Sequence, residues 1–90
     1  MTMFNPSKAQ AQLLLALLTG STLKSHRYLD GVKVFQLHSL EGEAVLVQKQ
    51  VVDTLQAQGL ISSNQKFPAA TYSLTEQGRE LARLLAKTDF

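Results

Sequence analysis

The chain has no cysteine and no tryptophan, only two prolines, and no long apolar run. Without cysteine it can form neither a disulfide nor a thiolate metal site, and a chain without such staples fits the cytoplasm. The longest apolar run, Leu13 to Leu18, is far shorter than the ~20 residues that cross a bilayer. It also lacks the charged flank and small-residue cleavage site of a signal peptide. The expectation is a cytoplasmic protein with no membrane partner. Charge of one sign is scarce too: nine Lys and Arg against seven Asp and Glu leave +2. That balance permits a nucleic-acid partner without demanding one, because strongly basic binders cluster their cations and here they are scattered. Hydrophobic residues at 44% and charged residues at 18% argue against disorder. Ninety residues then make one domain, 1–90, with a thin core.

Catalytic and metal chemistry have little to build on. The serines sit in turns without a base and an orienting carboxylate. No glycine-rich phosphate loop is present. His26 and His38 have no third ligand at metal spacing. The expectation is that the chain is not an enzyme and takes no cofactor or metal.

A first helix is expected from about Ser7 to Thr19. Either Asn5 caps it with Pro6 at the first helical position, or Ser7 caps it with Gln10 closing a capping box. Gly20 ends it. Ala9, Leu13, Leu14, Leu17 and Leu18 share one face, and Leu15 lies on the other, as a surface leucine or a dimer contact.

Ser21 to Leu40 reads as a hairpin around Asp30-Gly31. A two-residue turn would mix polarity on both faces. A three-residue loop, Leu29-Asp30-Gly31, pairs Leu23 with Leu37 and Ser25 with Phe35. Leu23, Phe35 and Leu37 then share one face, and Lys24, His26, Gln36 and His38 the other. Because a one-residue slip exchanges the faces, the register that segregates polarity is preferred.

Glu41 and Glu43 sit where negative charge favours a helix N-terminus. A second helix is expected from about Glu43 to Gln58. Val47, Val51, Val52 and Leu55 face inward, and Lys49, Gln50, Asp53 and Gln56 face outward. Gly59 ends it and Leu60-Ile61 begins a strand. Ser62 to Lys66 is a polar turn, Phe67-Pro68 follows, and Ala70 to Leu74 returns. Thr75 caps a last helix with Glu76 in its first turn. Its inner side is Leu74, Gly78, Leu81, Leu84 and Leu85, with Lys87 at its C-terminal end. Glu76, Arg79, Glu80 and Arg83 are spaced for surface ion pairs. Gly78 inside a helix costs ~1 kcal/mol relative to Ala, which points to a close helix–strand approach.

Two segments, Val51-Val52-Asp53-Thr54-Leu55-Gln56-Ala57-Gln58-Gly59-Leu60-Ile61 and Tyr72-Ser73-Leu74-Thr75-Glu76-Gln77-Gly78-Arg79-Glu80-Leu81, resemble the winged-helix regulators of the MarR, PadR and ArsR families. The two segments make up 21 of the 90 residues. It implies that the first is the end of a recognition helix and the start of a wing, and the second the far wing strand and the next helix. The chain departs from those families where the hairpin at Asp30-Gly31 occupies the place of their second helix. A hairpin there, with Gly20, Glu41-Gly42 and Leu60-Ile61, resembles small bacterial proteins of the YjhX type. The expected fold is therefore α+β, winged helix-like, in the order α-β-β-α-β-β-α.

The resemblance implies a bacterial transcription regulator binding double-stranded DNA through the middle helix, about 45–58, and the wing, 62–68. Gln48, Lys49 and Gln50 would meet base edges, since Lys bonds guanine and Gln pairs with adenine. Asn64, Gln65 and Lys66 belong to the wing. The hairpin adds Lys24, Arg27 and Lys33, and with Arg27 and Lys33 near its tip it would act as a second arm on phosphates. One thin domain neutralising ~3–5 phosphates binds weakly, so a homodimer is expected, through the first and last helices with Met3, Phe4, Leu15 and Phe90. The alternative is a winged-helix protein-interaction module, or a small toxin-like regulatory protein, without DNA binding.

Overall fold

The computed structural model describes residues 6–66 and 69–87. Asn5, the Phe67-Pro68 part of the wing, and Met3, Phe4 and Phe90 lie outside the described residues. The chain is a small α+β fold in the order α1 (Lys8–Leu18), β1 (Thr22–Arg27), β2 (Lys33–His38), β3 (Ala44–Val47), α2 (Lys49–Ala57), β4 (Ile61–Ser63), β5 (Ala69–Leu74), α3 (Glu76–Ala86). The five strands form one antiparallel sheet in the order β3-β2-β1-β5-β4.

The expected order lacks one strand, and the expected second helix is too long. Ala44–Val47 is a strand on β2, with Leu37 opposite Val45 and Phe35 opposite Val47. The helix begins only at Lys49. Residues 39–43 explain this. Ser39 N–H donates to Glu43 O, and Gly42 N–H to Ser39 O, closing a tight hairpin with Gly42 at φ +93°. The two glutamates therefore flank a turn and not a helix N-terminus. Gln48 is the actual N-cap, and its side chain makes no capping bond.

The first hairpin takes the polarity-segregating register, Leu23 opposite Leu37 and Ser25 opposite Phe35. Strand alternation then puts Leu23, Ser25, Phe35, Ala70, Tyr72 and Ile61 on one face. All three helices pack there: Leu13 and Leu14 of α1, Val52 and Leu55 of α2 and Ala82 of α3 join those sheet residues in one buried core. The opposite face carries Lys24, His26, Gln36 and His38. Among the described residues no helix is long and apolar enough to cross a membrane.

The helix ends follow local chemistry. Ser7 caps α1, with its hydroxyl accepting from Gln10 N–H and the Gln10 side chain accepting from Ser7 N–H. Thr75 caps α3 and also donates to Gly59 O at 2.6 Å. That double use draws α3 against Leu60, whose carbonyl oxygen lies 1.9 Å from where a Cβ on Gly78 would stand. The close approach expected at Gly78 is thus made to backbone.

Several faces differ from expectation. In α1, Ala9 is exposed and Ala11 is buried, while Leu15 is half-buried. In α3, Leu84 is 60% exposed and Ala82 takes the inner place. The charges of α3 form no ion pair with one another among the described residues, where the pair observed is Lys49–Asp53.

Candidate nucleic-acid interface

Helix α2 is amphipathic on a short scale. Val52 and Leu55 are buried and Val51 half-buried, which fixes the helix from behind. Gln48, Lys49, Gln50, Asp53 and Gln56 are exposed on its outer side. The three residues expected to read bases therefore do face solvent, at the N-terminal end of a helix of nine residues. Lys49 is not free of local partners: its Nζ lies 2.6 Å from Asp53 Oδ2, one turn on. Both side chains are at least half exposed, so the pair is worth ~0.3–0.5 kcal/mol and yields readily to a phosphate.

The turn after β4, expected as a wing, is organised by its own side chains. Ser63 Oγ accepts from Gln65 N–H at 2.9 Å. Asn64 Oδ1 accepts from both Lys66 N–H and Thr71 N–H at 3.1 Å. Asn64 is thus first a turn former. Gln65 pays a conformational cost, with φ +58° in a non-glycine residue. The result is a loop that aims Gln65 and Lys66 back toward the hairpin tip.

At that tip Arg27 sits opposite Lys33. Both have the parity of Ser25 and Phe35, so both lie on the helix-bearing face. Arg27 Nη1 donates to Gly31 O at 3.0 Å. Lys33 Nζ donates to the Tyr72 hydroxyl at 3.3 Å and stands 5.2 Å from the Phe35 ring centroid. Because β5 pairs with β1, the wing arrives beside this tip.

Between them is a cleft of about 290 Å³. Its walls are Arg27 and Lys33 from the hairpin, Gln56 from α2, and Ser63, Gln65 and Lys66 from the wing; Ser25, Ala70 and Tyr72 complete the lining. Ser25 is 2% exposed and brings a hydroxyl into the core edge. Among the described residues, three cations and no carboxylate line the space. Like charges held this close create a positive potential that an anion relieves.

The structure divides the candidate residues into groups. Arg27, Gln65 and Lys66 come together in the cleft. Gln48, Lys49 and Gln50 stand at the other end of α2, about 10 Å away at 1.5 Å per residue from Lys49 to Gln56. Lys24 is on the opposite sheet face, beside His26, Gln36 and His38, and cannot act with Arg27. Lys33 and Ser63, expected with the hairpin and the polar turn, also line the cleft, and Gln56, Ser25 and Tyr72 are cleft residues outside the expected set. Strand parity alone would have paired Arg27 with Lys33. Gln56 and Tyr72 join only through the approach of the wing to the hairpin. Among the described residues no three His, Cys, Asp or Glu side chains gather as metal ligands.

No family model matches the chain, and no match is found among curated proteins or solved structures.

Proposed function

We propose that the chain is a winged-helix-like DNA-binding protein of transcription control, gripping duplex phosphates in the cleft and presenting α2 to a groove. The observation that carries this reading is the convergence of Arg27, Lys33 and Lys66 around Gln56, with no carboxylate in the lining among the described residues. The order helix, strand, turn, strand, helix over residues 49–86 is the helix–wing–helix order of the regulators the sequence resembles, and it supports the same reading. Arg27 and Lys33 act as an arm on one phosphate strand, and Lys66 holds the wing to the backbone. Lys49, Gln50 and Gln56 are the side chains left to meet base edges, with Asp53 excluding phosphate from the middle of the helix.

The test is a fluorescence-anisotropy titration of the protein with random duplex at two salt concentrations. Three neutralised phosphates predict an affinity loss of roughly 40-fold between about 50 and 200 mM salt. Replacing Lys49 and Gln50 by Ala weakens binding further. Absence of binding at low salt, or an affinity indifferent to salt, removes the reading.

A protein-interaction module is the second reading. It is favoured by one observation: the apolar edge strand β3, with Val45 and Leu46 largely exposed.

A further inference from the structure

The expected dimer surface, α1 with α3, is already used within the chain. The two helices pack on each other, and Leu13, Leu14 and Ala82 meet in the shared core. The unused surface is elsewhere, at the β3 edge.

Strand β3 is the outermost strand on its side of the sheet. Hydrogen bonding alternates along an antiparallel strand. Ser39 N–H bonds to Glu43 O, so Glu43, Val45 and Val47 turn their backbone groups toward β2. Ala44 and Leu46 therefore turn both N–H and C=O outward. The side chains of this edge are apolar. Val45 is 58% exposed and Leu46 71%. Exposed edges are ordinarily guarded by Lys, Pro, a bulge or an inward charge. Ala44–Val47 has no charge and no proline.

We propose that β3 pairs with β3 of a second copy of this chain, antiparallel about a two-fold axis at Val45. This register sets Ala44 opposite the partner's Leu46 and Leu46 opposite the partner's Ala44. All four outward groups of each strand then find partners, and the two sheets become one. Val45 meets the partner's Val45 on the helix-bearing face. On that face lies a groove of about 340 Å³ whose lining includes Leu13, Leu37, Leu46, Val47 and Val51 together with Gln12 and Gln48. A two-fold axis is the natural operator, because antiparallel pairing of identical strands is self-complementary. Charge agrees with it. Antiparallel pairing brings the end of β3 that follows Glu41 and Glu43 to the end of the partner's β3 that leads into its Lys49. The acidic turn of each copy thus runs against the basic helix start of the other.

The inference is independent of DNA binding and needs no DNA in its test. Sedimentation equilibrium of the purified 9.9 kDa chain should give a monomer at low concentration and twice that mass at high concentration, with dissociation in about the micromolar range for so small an interface. Leu46→Pro removes an outward N–H and leaves the bonds to β2 intact, so it should stay monomeric with an unchanged circular-dichroism spectrum. Val45→Glu, at a site already open to solvent, opposes two carboxylates across the axis and should also stay monomeric. In wild type, the Ala44 and Leu46 amides should exchange more slowly as concentration rises. A chain monomeric at about 1 mM overturns the proposal. So does a dimer that survives both substitutions, or one that leaves those two amides unprotected.

Discussion

The turns at residues 28–32 and 39–43 are built alike but differ in the charges at their ends. Each closes with a bond across the strand ends, Tyr28 N–H to Val32 O and Ser39 N–H to Glu43 O. Each has a three-residue loop ending in a glycine at nearly the same positive φ, +90° at Gly31 and +93° at Gly42. In each an oxygen side chain ties down the exit: Asp30 Oδ1 accepts from Val32 N–H, and Ser39 Oγ from Glu43 N–H. Yet Arg27 and Lys33 flank the first, while Glu41 and Glu43 mark the second. The first hairpin ends beside a cleft lined by Arg27, Lys33 and Lys66, and the second leads into an apolar edge. One backbone device is used twice, and the flanking side chains decide what each copy of it meets.

The largest effect expected comes from a glycine outside both hairpins. Gly78→Ala drives a Cβ into the Leu60 carbonyl and should cost ~3 kcal/mol or more, read as a fall in urea midpoint. A loss below ~1 kcal/mol would mean that α3 can shift, and that the two turns are not held by one rigid frame. Next, Glu41→Lys with Glu43→Lys gives the second turn two cations, as Arg27 and Lys33 give the ends of the first. Its self-association should weaken roughly tenfold by sedimentation, with duplex affinity held or raised. Reduced duplex affinity would show that the turns are not functionally separate.

Gly31→Ala and Gly42→Ala sharpen the comparison on stability alone. Neither added Cβ would meet an atom within 4 Å, so each loss comes from backbone conformation and should be ~1 kcal/mol in both. Thermal midpoints that fall unequally would show that the turns only look alike. The smallest effect belongs to Lys24→Ala, which should change duplex affinity by less than about twofold, because Lys24 lies on the far face of the sheet. A tenfold loss would move the interface to that face.

The same pair of turns shows what could be read from residues. Asp30-Gly31 announced a hairpin, and the alternation of Leu23, Phe35 and Leu37 against Lys24, Gln36 and His38 chose its register. Glu41-Gly42 carries the same glycine but is followed by Ala44-Val45-Leu46-Val47. A four-residue apolar run fits a strand and a helix equally well. The helix after it is capped by Gln48, whose side chain makes no capping bond, so no residue marks the boundary between strand and helix. The Ser7, Thr75 and Gly78 features were legible because each acts through its own chain neighbours or lacks a side chain. The cleft was half legible. Parity put Arg27 beside Lys33, but Gln56, Ser25 and Tyr72 enter only once β5 has paired with β1 and carried the wing across.

The direct test of the account is the slope of log affinity for random duplex against log salt, in wild type and in Arg27→Ala/Lys33→Ala/Lys66→Ala. The account predicts a slope of about −2.7 per protomer in wild type and one close to zero in the triple variant, with the variant's fold intact by circular dichroism. A slope that the three substitutions leave unchanged would contradict it.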